Sequence, residues 1–322
     1  MYVKTVIMLL VYTIPIVIVS LDLITSSFLA ILLYAISGFG IAGIGMGVMH
    51  DANHGAYTNN PKMSYLLGHT LDFLGCSSQM WKYQHNVLHH TYTNIHGHDE
   101  DISAPLFLLR FSPHSKLYKI QKYQHYYVWF FYSILTLYWV TGKDFVKSAY
   151  YYKIGLIPSK KAYRIQLLKF IPLKLYYFTT VVFLPYHFSS FSFGTILIGF
   201  LVMHFVAGLL LSIVFQLAHV VPNMDFPQAD GDDQIEENWY IHQLQTTSNF
   251  SPKNKFLCWY LGGLTNQVEH HLFPKICHVH YPKLSQIVAQ TAKDFSVPYH
   301  VNKSFFSALS GHIKILKALG RK

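Results

Sequence analysis

Charged side chains are scarce in this sequence. Asp, Glu, Lys and Arg make up only 12% of its 322 residues, whereas hydrophobic residues make up 52%. Soluble globular domains carry roughly 25% charged residues. The low share of charge excludes an ordinary soluble domain and indicates an integral membrane protein.

Cysteine and several catalytic motifs are also scarce or missing. The three cysteines, Cys76, Cys258 and Cys277, are odd in number and lack the paired spacing of a thiolate site. Neither a disulfide framework nor a zinc–cysteine site is therefore expected. The motif HExxH is absent, so nothing favours a zinc metalloprotease. Without internal repeats, low-complexity segments or long linkers, residues 1–322 are expected to form a single domain.

Long apolar runs are abundant. A helix that crosses a bilayer needs about 20 mostly apolar residues. Five stretches come near that length: 5–20, 25–49, 126–141, about 171–187 and 194–218. The first has no small-x-small cleavage site and is followed at once by the second. We therefore interpret it as a membrane anchor rather than a signal peptide.

The positions of Lys and Arg predict the orientation. Neither residue type occurs in the connections 21–26 and 188–193, which are therefore expected outside the cell. Segments 50–125 and 219–322 are polar and basic and are expected in the cytosol. The net charge of +10 thus reflects topology rather than nucleic-acid binding. It also suits contact with the headgroups of a lipid bilayer.

Two cytosolic segments must be separated by an even number of crossings. Stretch 126–141 is short, rich in Tyr, Trp and Phe and flanked by Lys, so we place it at the membrane interface. The predicted fold is an all-α multi-pass membrane protein. It has four spanning helices in two hairpins, an interfacial aromatic helix at about 126–141, and a cytosolic helical cap.

Histidine is unusually frequent, with 20 residues against 15 carboxylates. Residues four apart in a helix share one face, and this spacing recurs in MHDANH and in QHNVLHH. The segment QVEHH adds two adjacent histidines, with Gln267 one turn before them, and one more histidine ends the last span. The candidate metal ligands and catalytic residues are His50, His54, His85, His89, His90, His219, His270 and His271.

Eight imidazoles exceed the needs of one metal ion. A zinc ion is saturated by four ligands, so eight nitrogens indicate two ions unless many of the rings are spectators. Imidazole suits Zn, Cu, Fe and Ni. Two imidazole-bound ions beside a membrane favour O2 activation by iron. The alternative for each cluster is a structural pair or a solvated histidine-rich loop.

The three boxes HxxxH, HxxxHH and QxxHH, in this order and separated by paired spans, resemble those of membrane fatty acid desaturases. Gln267 in the first place of the third box resembles the front-end subgroup, which places a double bond between an existing one and the carboxyl end. The segments HDANHGAY, WKYQHNVLHHTYTNI, HFVAGLLLSIVFQLAHVV, NWYIHQLQTTSNF and NQVEHHLFPKICHVHYPKL resemble bacterial linoleoyl-CoA-desaturase-like sequences over nearly the whole chain.

The resemblance implies a di-iron enzyme of unsaturated fatty acid biosynthesis. It would use O2 to introduce a cis double bond, of delta-5 or delta-6 type, into an acyl-CoA or acyl-lipid chain. Many front-end relatives carry a fused cytochrome b5 domain marked by HPGG, which this sequence lacks. Electrons are therefore expected from a separate carrier, a ferredoxin or a cytochrome b5. The expected location is the bacterial plasma membrane rather than the endoplasmic reticulum, with the active site on the cytosolic face.

The resemblance also implies a division of the ligands. One iron would be held by a first set of five histidines: His50, His54, His85, His90 and His271. The other would be held by His89, His219 and His270, with Gln267 or a water completing its ligands.

Further residues are candidates for supporting roles. Four acids near the boxes are expected to fix the imidazole tautomers: Asp51, Asp99, Asp101 and Glu269. The motif NWYIHQLQTTSNF supplies candidates for the mouth of an acyl tunnel, with cap packing as the alternative: Trp239, His242, Gln245 and Thr246.

The remaining histidines are expected outside the site. His204 lies fifteen residues before His219, about 22 Å away along a helix, so a polar contact between helices is expected. His187 falls in the outer region. His96 and His98 lie in a turn, and His278 and His280 are expected to lie at the surface or to contact the electron carrier.

Two other functions remain open from the sequence. A hydroxylase or related oxygenase could use the same metal core, and a histidine-rich transporter could relay metal ions. The Gln-first third box favours desaturation. No carboxylate falls within the four predicted spans, whereas transport paths usually place ionisable groups there.

Overall fold

The structure is a computed structural model that describes residues 1–103, 107–229 and 237–321. Four helical runs within these residues are long and apolar enough to cross a membrane: Tyr2–Ser20, Ser27–Asn53, Lys160–Phe188 and Phe193–His219. They coincide with the four predicted spans, and that prediction is confirmed. The second run continues to Asn53 and so takes in Asp51, a carboxylate that lies beyond the predicted end of that span.

Helices dominate the described residues. The α-helices of the four long runs are α1 (Tyr2–Ser20), α2 (Ser27–Ile44), α3 (His50–Asn53), α10 (Lys160–Phe178), α11 (Leu184–Phe188) and α12 (Phe193–His219). The other α-helices are α4 (Pro61–Gly68), α5 (Thr70–Phe73), α6 (Ser78–Trp81), α7 (Gln124–Ser133), α8 (Leu135–Tyr138), α9 (Asp144–Lys153), α13 (Trp239–Thr246), α14 (Lys255–Tyr260), α15 (Gln267–Leu272), α16 (Tyr281–Asp294) and α17 (Phe305–Leu319).

Several helices contain wider π-helical turns, and two short segments form 3-10 helix. The π-helical segments are Gly45–Met49, Lys82–His89, Trp139–Lys143 and Thr179–Phe183, and the 3-10 segments are Lys119–Tyr123 and His278–His280. Two of the π segments precede or contain histidine boxes. Turns of this kind occur often at functional sites.

One small sheet departs from the all-α prediction. Strands β1 (Ser248–Phe250) and β2 (His300–Asn302) pair in parallel, with Ser248 opposite His300 and Phe250 opposite Asn302. Three-residue strands carry too little periodicity to be recognised in a sequence.

The described chain divides into two compact units. The first comprises Met1–Asn53, Asn60–Tyr83 and Phe130–Ser212. The second comprises His54–Asn59, Gln84–Trp129 and Ile213–Lys322. The prediction of one domain over the whole chain stays a prediction.

Close helix packing holds the first unit together. A Cβ on Gly40 would lie 2.5 Å from the backbone nitrogen of Tyr12, so only glycine lets α1 and α2 approach so closely. The hydroxyl of Ser37 donates to the carbonyl of Tyr12 across the same contact, at 2.9 Å. Small residues at helix contacts are typical of membrane proteins, where they let backbones approach each other.

Two polar groups inside the first unit are fully paired. Lys174 Nζ donates to the carbonyls of Gly75 at 2.6 Å and Trp139 at 2.8 Å, and to Asp144 Oδ2 at 2.6 Å. His204 is buried and contacts Tyr177 Oη at 2.8 Å and Thr136 Oγ1 at 3.1 Å. The predicted polar contact of His204 between helices is confirmed.

The aromatic stretch at 126–141 is not one continuous α-helix. It falls in α7, α8 and the π segment Trp139–Lys143, with a break at Ile134 between the first two. Within the described residues it is not among the helices that could span a membrane. This agrees with four crossings, whereas its place at the membrane interface stays a prediction.

The second unit carries a compact helical core. Leu244 of α13, Val268 of α15 and Val288 of α16 pack together and are buried. The last helix, α17, is fixed from inside the unit, because His312 Nδ1 donates to the carbonyl of Val220 at 2.7 Å. These contacts hold α15, which carries His270 and His271, and α13, which carries Gln243.

Candidate metal centre

A π-helical segment positions the second histidine box. In a π-helix the backbone bonds run five residues on, so His85 lies one turn from both His89 and His90. The rings of His85 and His89 stack with their centroids 5.1 Å apart, and that of His90 lies 4.9 Å from His85 edge to face. The box thus offers three neighbouring imidazoles.

His89, His219 and His271 form the most regular group. Their ring centroids lie 4.8 to 4.9 Å apart in all three pairings. All three rings are buried, and one nitrogen of each lies within 4.8 Å of the others. Although the three residues come from distant parts of the chain, the second unit brings them to one point.

One nitrogen of each ring in this group has a hydrogen-bond acceptor. The Nδ1 contacts are His89 to Asp99 Oδ1 at 2.9 Å, His219 to the Thr246 carbonyl at 3.2 Å, and His271 to Gln243 Oε1 at 2.8 Å. An acceptor at Nδ1 makes that nitrogen carry the proton, which leaves the lone pair on Nε2. Each ring of this group can therefore offer the lone pair of its Nε2 to a metal ion.

The three Nε2 atoms are buried and have no hydrogen-bond partner within the described residues. Buried polar atoms are rarely left without a partner, because desolvation alone costs about 1–3 kcal/mol for each. Three such atoms converging on one point match a metal ion that accepts their lone pairs. The residues present therefore fit a metal bound by imidazole.

His54, His85 and His270 form a second group. The ring of His54 lies 5.2 Å from that of His85 and 4.9 Å from that of His270, and the three residues offer nitrogens within 4.8 Å of one another. His85 Nδ1 lies 2.7 Å from Asp101 Oδ2. An acid again holds one ring nitrogen and leaves the other for a ligand.

His90 lies among the rings of both groups. Its Nε2 is 3.0 Å from Nε2 of His270, and its ring stacks on that of His271 at 4.5 Å. Two ligands at right angles around an ion, with metal–nitrogen bonds of about 2.1 Å, lie about 3.0 Å apart. The His90–His270 spacing therefore suits one shared ion.

His50 belongs to the first unit, on α3. It is buried beside Trp81, with ring centroids 5.6 Å apart, and its Nδ1 is 3.7 Å from Asp51 Oδ1. That distance is too long for a hydrogen bond. Its spacing of four residues before His54 keeps His50 a predicted ligand.

The structure pairs the adjacent histidines of the third box the other way round from the expected division. His271, rather than His270, lies with His89 and His219, and His270 lies with His54 and His85. Adjacent helical residues point about 100° apart, but spacing cannot tell which of them faces which group. In this arrangement His271 Nδ1 lies 2.8 Å from Gln243 Oε1.

Three of the four predicted supporting acids, Asp99, Asp101 and Glu269, have contacts of two kinds. Asp99 and Asp101 lie on ring nitrogens of His89 and His85, where the sequence analysis expected them. The expected role of Glu269 in holding an imidazole stays a prediction. The two carboxylate oxygens of Glu269 accept from Asn249 Nδ2 and Tyr299 Oη, both at 2.8 Å.

Gln267 opens α15 and is buried. Its Nε2 has no hydrogen-bond partner within the described part of the chain. An unsatisfied amide one turn before the His270–His271 pair is consistent with a group that meets a ligand or a water. Metal contact by Gln267 stays a prediction.

Two of the four predicted substrate residues make hydrogen bonds to the backbone of histidine residues. Trp239 Nε1 donates to the carbonyl of His90 at 3.1 Å, and Thr246 Oγ1 donates to that of His242 at 2.7 Å. Gln245 is half-buried, and His242 is buried with Nε2 unpartnered among the residues described. Contact of these four residues with a substrate stays a prediction.

Sequence reasoning missed Thr93, Asn94 and Gln243. Asn94 Nδ2 lies 3.1 Å from the carbonyl of His219 and 3.3 Å from that of Thr246. Gln243 contacts His271. Their positions gave a signal, because Thr93 and Asn94 follow the second box directly and Gln243 neighbours His242. The sequence does not show, however, which groups such polar side chains contact in the fold.

The other histidines lie apart from the two groups in the contacts described. His96 meets Ser115, His98 lies against Tyr92, and exposed His187 stacks on Phe183. His280 is exposed, but His278 is buried, so the surface position expected for it is wrong. A Cβ placed on Gly263 would lie 2.6 Å from Cβ of His278, which shows how tightly that turn is packed.

Electrostatics differ between two members of the regular group. Burial lowers the pKa of His89, but the carboxylates of Asp99 and Asp101 outweigh burial and raise it to about 9. Burial, together with the neighbouring rings of His90 and His219, lowers the pKa of His271 well below its usual value. Without a metal ion these carboxylates favour the protonated His89 ring, so a cation that binds at its Nε2 must displace a proton. Burial keeps the His271 ring neutral, the form in which imidazole binds a metal.

The described residues thus form a largely helical protein with four helices able to span a membrane and with clusters of imidazoles that could hold metal ions. The profile of the fatty acid desaturase family matches residues 26–303. The chain is 37% identical over 291 residues to the sn-1 linoleoyl-lipid 6-desaturase of Synechocystis sp., covering 87% of this chain and 78% of that protein.

Other relatives show similar identity. The sn-1 linoleoyl-lipid 6-desaturase of Arthrospira platensis is 37% identical over 294 residues, which cover 88% of this chain and 76% of the relative. The acyl-lipid (8-3)-desaturase of Physcomitrium patens is 37% identical over 92% of this chain and 62% of its own length. The chain belongs to the fatty acid desaturase family, and it is accordingly an oxidoreductase enzyme of lipid metabolism.

Proposed function

We propose that this enzyme introduces a double bond on the carboxyl side of an existing one in a lipid-linked acyl chain. Gln267 in the first place of the third box supports this front-end outcome. The named activities of the relatives, 6-desaturases and an (8-3)-desaturase of acyl lipids, support it as well. They also favour a lipid-linked substrate over acyl-CoA.

The reaction removes two hydrogens from neighbouring methylenes and reduces O2 to two waters. Two electrons and two protons must therefore enter in addition to those from the acyl chain. We propose that the electrons come from a separate carrier protein, a ferredoxin or a cytochrome b5. When bound, two iron ions would supply the O2-activating redox chemistry that amino-acid side chains cannot.

The convergence of three buried Nε2 atoms carries the proposal. One ion would be held by His89, His219 and His271, and the other by His54, His85 and His270. We place His90 at the second ion because of its contact with His270. His50 joins this set on the strength of its spacing from His54. Gln267 is proposed to complete one ligand set, directly or through a water.

The surrounding residues prepare these nitrogens. Asp99 and Asp101 hold the Nδ1 protons of His89 and His85, which orients both rings and raises their basicity as ligands. Burial of the rings keeps bulk water from the centre. A dry site protects reactive oxygen chemistry from side reactions.

We propose that the four apolar runs cross the membrane as two hairpins with the histidine boxes at the cytosolic face. The absence of Lys and Arg from connections 21–26 and 188–193 supports this orientation. The aromatic stretch at 126–141 would lie at the interface. A bacterial plasma membrane is the proposed location. The similarity to the desaturase of the cyanobacterium Synechocystis supports it.

Expression in a bacterial host with matching electron carriers, fed with linoleate, tests the function. Gas chromatography–mass spectrometry of the lipids should show a trienoic acid whose new double bond lies between the carboxyl end and the existing bonds. A hydroxy acid would show an oxygenase instead. Unchanged lipids in the presence of working carriers would overturn the proposal.

The metal content gives a second test. Purified protein should hold about two irons per chain and little zinc, because the two histidine groups are separate sets of donors. A preparation with one zinc and no iron would contradict the di-iron proposal.

The role of Gln267 is tested by Gln267→His. Imidazole can replace an amide as a metal ligand, so product formation should survive if Gln267 faces an ion. Loss of product with the fold and iron intact would show instead that Gln267 acts through a water or the substrate.

A further inference from the structure

Gln243 lies on α13, and its amide contacts three residues in two histidine segments. Its Oε1 is 2.8 Å from His271 Nδ1 and 2.9 Å from Thr93 Oγ1. Its Nε2 donates to the carbonyl of His90 at 3.3 Å. The side chain is fully buried, so water does not compete for these bonds.

These contacts fix the orientation of the amide. An exchange of its oxygen and nitrogen would set the oxygen against the carbonyl of His90, and two acceptors repel each other. With the nitrogen on His90, the oxygen faces His271 and can only accept a hydrogen bond. His271 must therefore carry its proton on Nδ1, which leaves the lone pair on Nε2.

Thr93 strengthens the arrangement from the other side. Its Oγ1 lies 2.8 Å from the carbonyl of His89 as well as 2.9 Å from Gln243 Oε1. The Thr93 hydroxyl has one hydrogen and donates it to one of these two oxygens at a time. Gln243 itself joins the backbone of the second box, at the His90 carbonyl, to the side chain of the third box at His271. A displacement of either box would break at least one of these bonds.

The acceptor at His271 also differs in charge from that at His89. Asp99 is a carboxylate, whereas Gln243 is a neutral amide. A carboxylate on Nδ1 raises the basicity of the ligating ring more than a neutral acceptor does. The three-histidine group therefore presents one more basic ligand, His89, and two less basic ones.

We propose that Gln243 is a positioning residue of the metal centre. It fixes the Nδ1–H tautomer of His271 and turns Nε2 toward His89 and His219. This inference rests on the metal centre assigned above under the proposed function. It concerns how the ligand is held and does not depend on which product the enzyme makes.

Two substitutions at one position test this role. Gln243→Leu keeps the approximate size of the side chain but removes the acceptor. Gln243→Glu keeps an oxygen on His271 Nδ1, and the second oxygen of its buried carboxyl can carry a proton toward the His90 carbonyl. Iron retained per chain is measured against increasing concentrations of a competing chelator. Gln243→Leu should weaken retention of one iron by about 10–100-fold, the usual cost of removing a partner from a ligating histidine. Gln243→Glu should lie closer to the parent than to Gln243→Leu.

Gln124 provides a matched structural control. It is equally buried and donates to the carbonyls of Arg110 at 3.0 Å and Leu316 at 2.8 Å, and its Oε1 accepts from the Arg110 nitrogen. None of these partners is an imidazole. Gln124→Leu should lower the thermal stability of the metal-free protein at least as much as Gln243→Leu, yet retain iron like the parent.

Five outcomes decide the matter. The expected pattern is iron loss in Gln243→Leu alone. Iron loss in proportion to lost stability in both leucine variants would make Gln243 merely structural, and parental retention in Gln243→Leu would also overturn the proposal. A parent that holds two irons but makes no unsaturated product would overturn the proposed function while leaving the role of Gln243 in place. A parent that retains no metal would overturn both.

Discussion

Buried imidazoles in the two units are satisfied in different ways. In the first unit, both ring nitrogens of His204 have partners, Tyr177 Oη and Thr136 Oγ1. In the second unit, His271 is held by Gln243 at Nδ1, and its Nε2 has no partner within the described residues. Burial and residue type are the same, so the two rings differ in the unpartnered Nε2 of His271 and in its convergence with the Nε2 atoms of His89 and His219.

The largest effect on product and iron content is expected from removal of the His271 ring. His271→Ala should abolish product and iron at the three-histidine group, because one of three donors is lost. The effect should exceed the roughly 10–100-fold that loss of a ligand's hydrogen-bond partner costs. Product is measured by gas chromatography–mass spectrometry and metal by elemental analysis.

His187→Ala is the control for that experiment. Its ring is exposed and stacks on Phe183 with centroids 5.5 Å apart, away from the histidine groups. This variant should keep parental iron and product. A His271→Ala protein that retains both irons would contradict the assignment of the group.

A second test concerns the paired charge inside the first unit. Lys174→Met leaves the Asp144 carboxylate buried without its cation, and breaking a buried ion pair in this way costs about 3–5 kcal/mol. Titration with a denaturing detergent should therefore show a large loss in the free energy of unfolding. Iron content per folded chain should not change.

The double variant Lys174→Met with Asp144→Leu distinguishes charge from packing. It removes both charges, so much of the lost stability should return. If the double variant is as unstable as Lys174→Met, the cost lies in the three hydrogen bonds of Lys174 rather than in the uncompensated carboxylate.

His312 is a buried imidazole of the second unit for which no metal-binding role is expected. Burial lowers its pKa from 6.5 to about 4, although its bond to the Val220 carbonyl acts in the opposite direction. Above pH 6.5 the ring is neutral in both the folded and the unfolded chain, and its full contribution to stability is present. As pH falls toward 4, the unfolded chain takes up a proton that the folded chain does not, so stability decreases.

The size of this pH effect is at most about 3 kcal/mol, taking 1.36 kcal/mol for each pKa unit. Unfolding titrations at pH 7.5 and pH 5 should show the parent losing more stability than His312→Gln, which cannot take up the proton. Equal losses in both proteins would show that other groups govern the acid side.

Local patterns in the sequence were enough to find the spans and the histidine boxes. Hydropathy depends on consecutive residues, and the four runs emerged within a few residues except at Lys160, where the third begins earlier than predicted. The exchange of His270 and His271 could not be foreseen, because it depends on how α15 is rotated. Gln243 was missed for a related reason: its partner lies 28 residues further along the chain.

Glu269 shows the limit of reasoning from proximity in sequence. It stands beside two candidate ligands, yet its carboxylate oxygens accept from Asn249 Nδ2 and Tyr299 Oη. Asp99 lies ten residues from His89 and still reaches its ring, because a turn at Asn94 with φ of 61° folds the chain back. The backbone of Asn94 also donates to Asp99, at 2.9 Å.

The smallest effect is expected from a change beside His204, whose two ring nitrogens both have partners. Tyr177→Phe removes the hydroxyl from His204 Nε2 and creates in the first unit the single unpartnered nitrogen that His271 has in the second. Hydrogen bonds between membrane helices contribute about 0.6 kcal/mol on average and at most about 1.7 kcal/mol, so unfolding titrations should show a loss of that order. Iron content and product should stay at the parental level, because one freed nitrogen without two converging neighbours makes no metal site. Recruitment of an additional metal ion by Tyr177→Phe would show that partner number alone, rather than convergence of three rings, is what distinguishes the two regions.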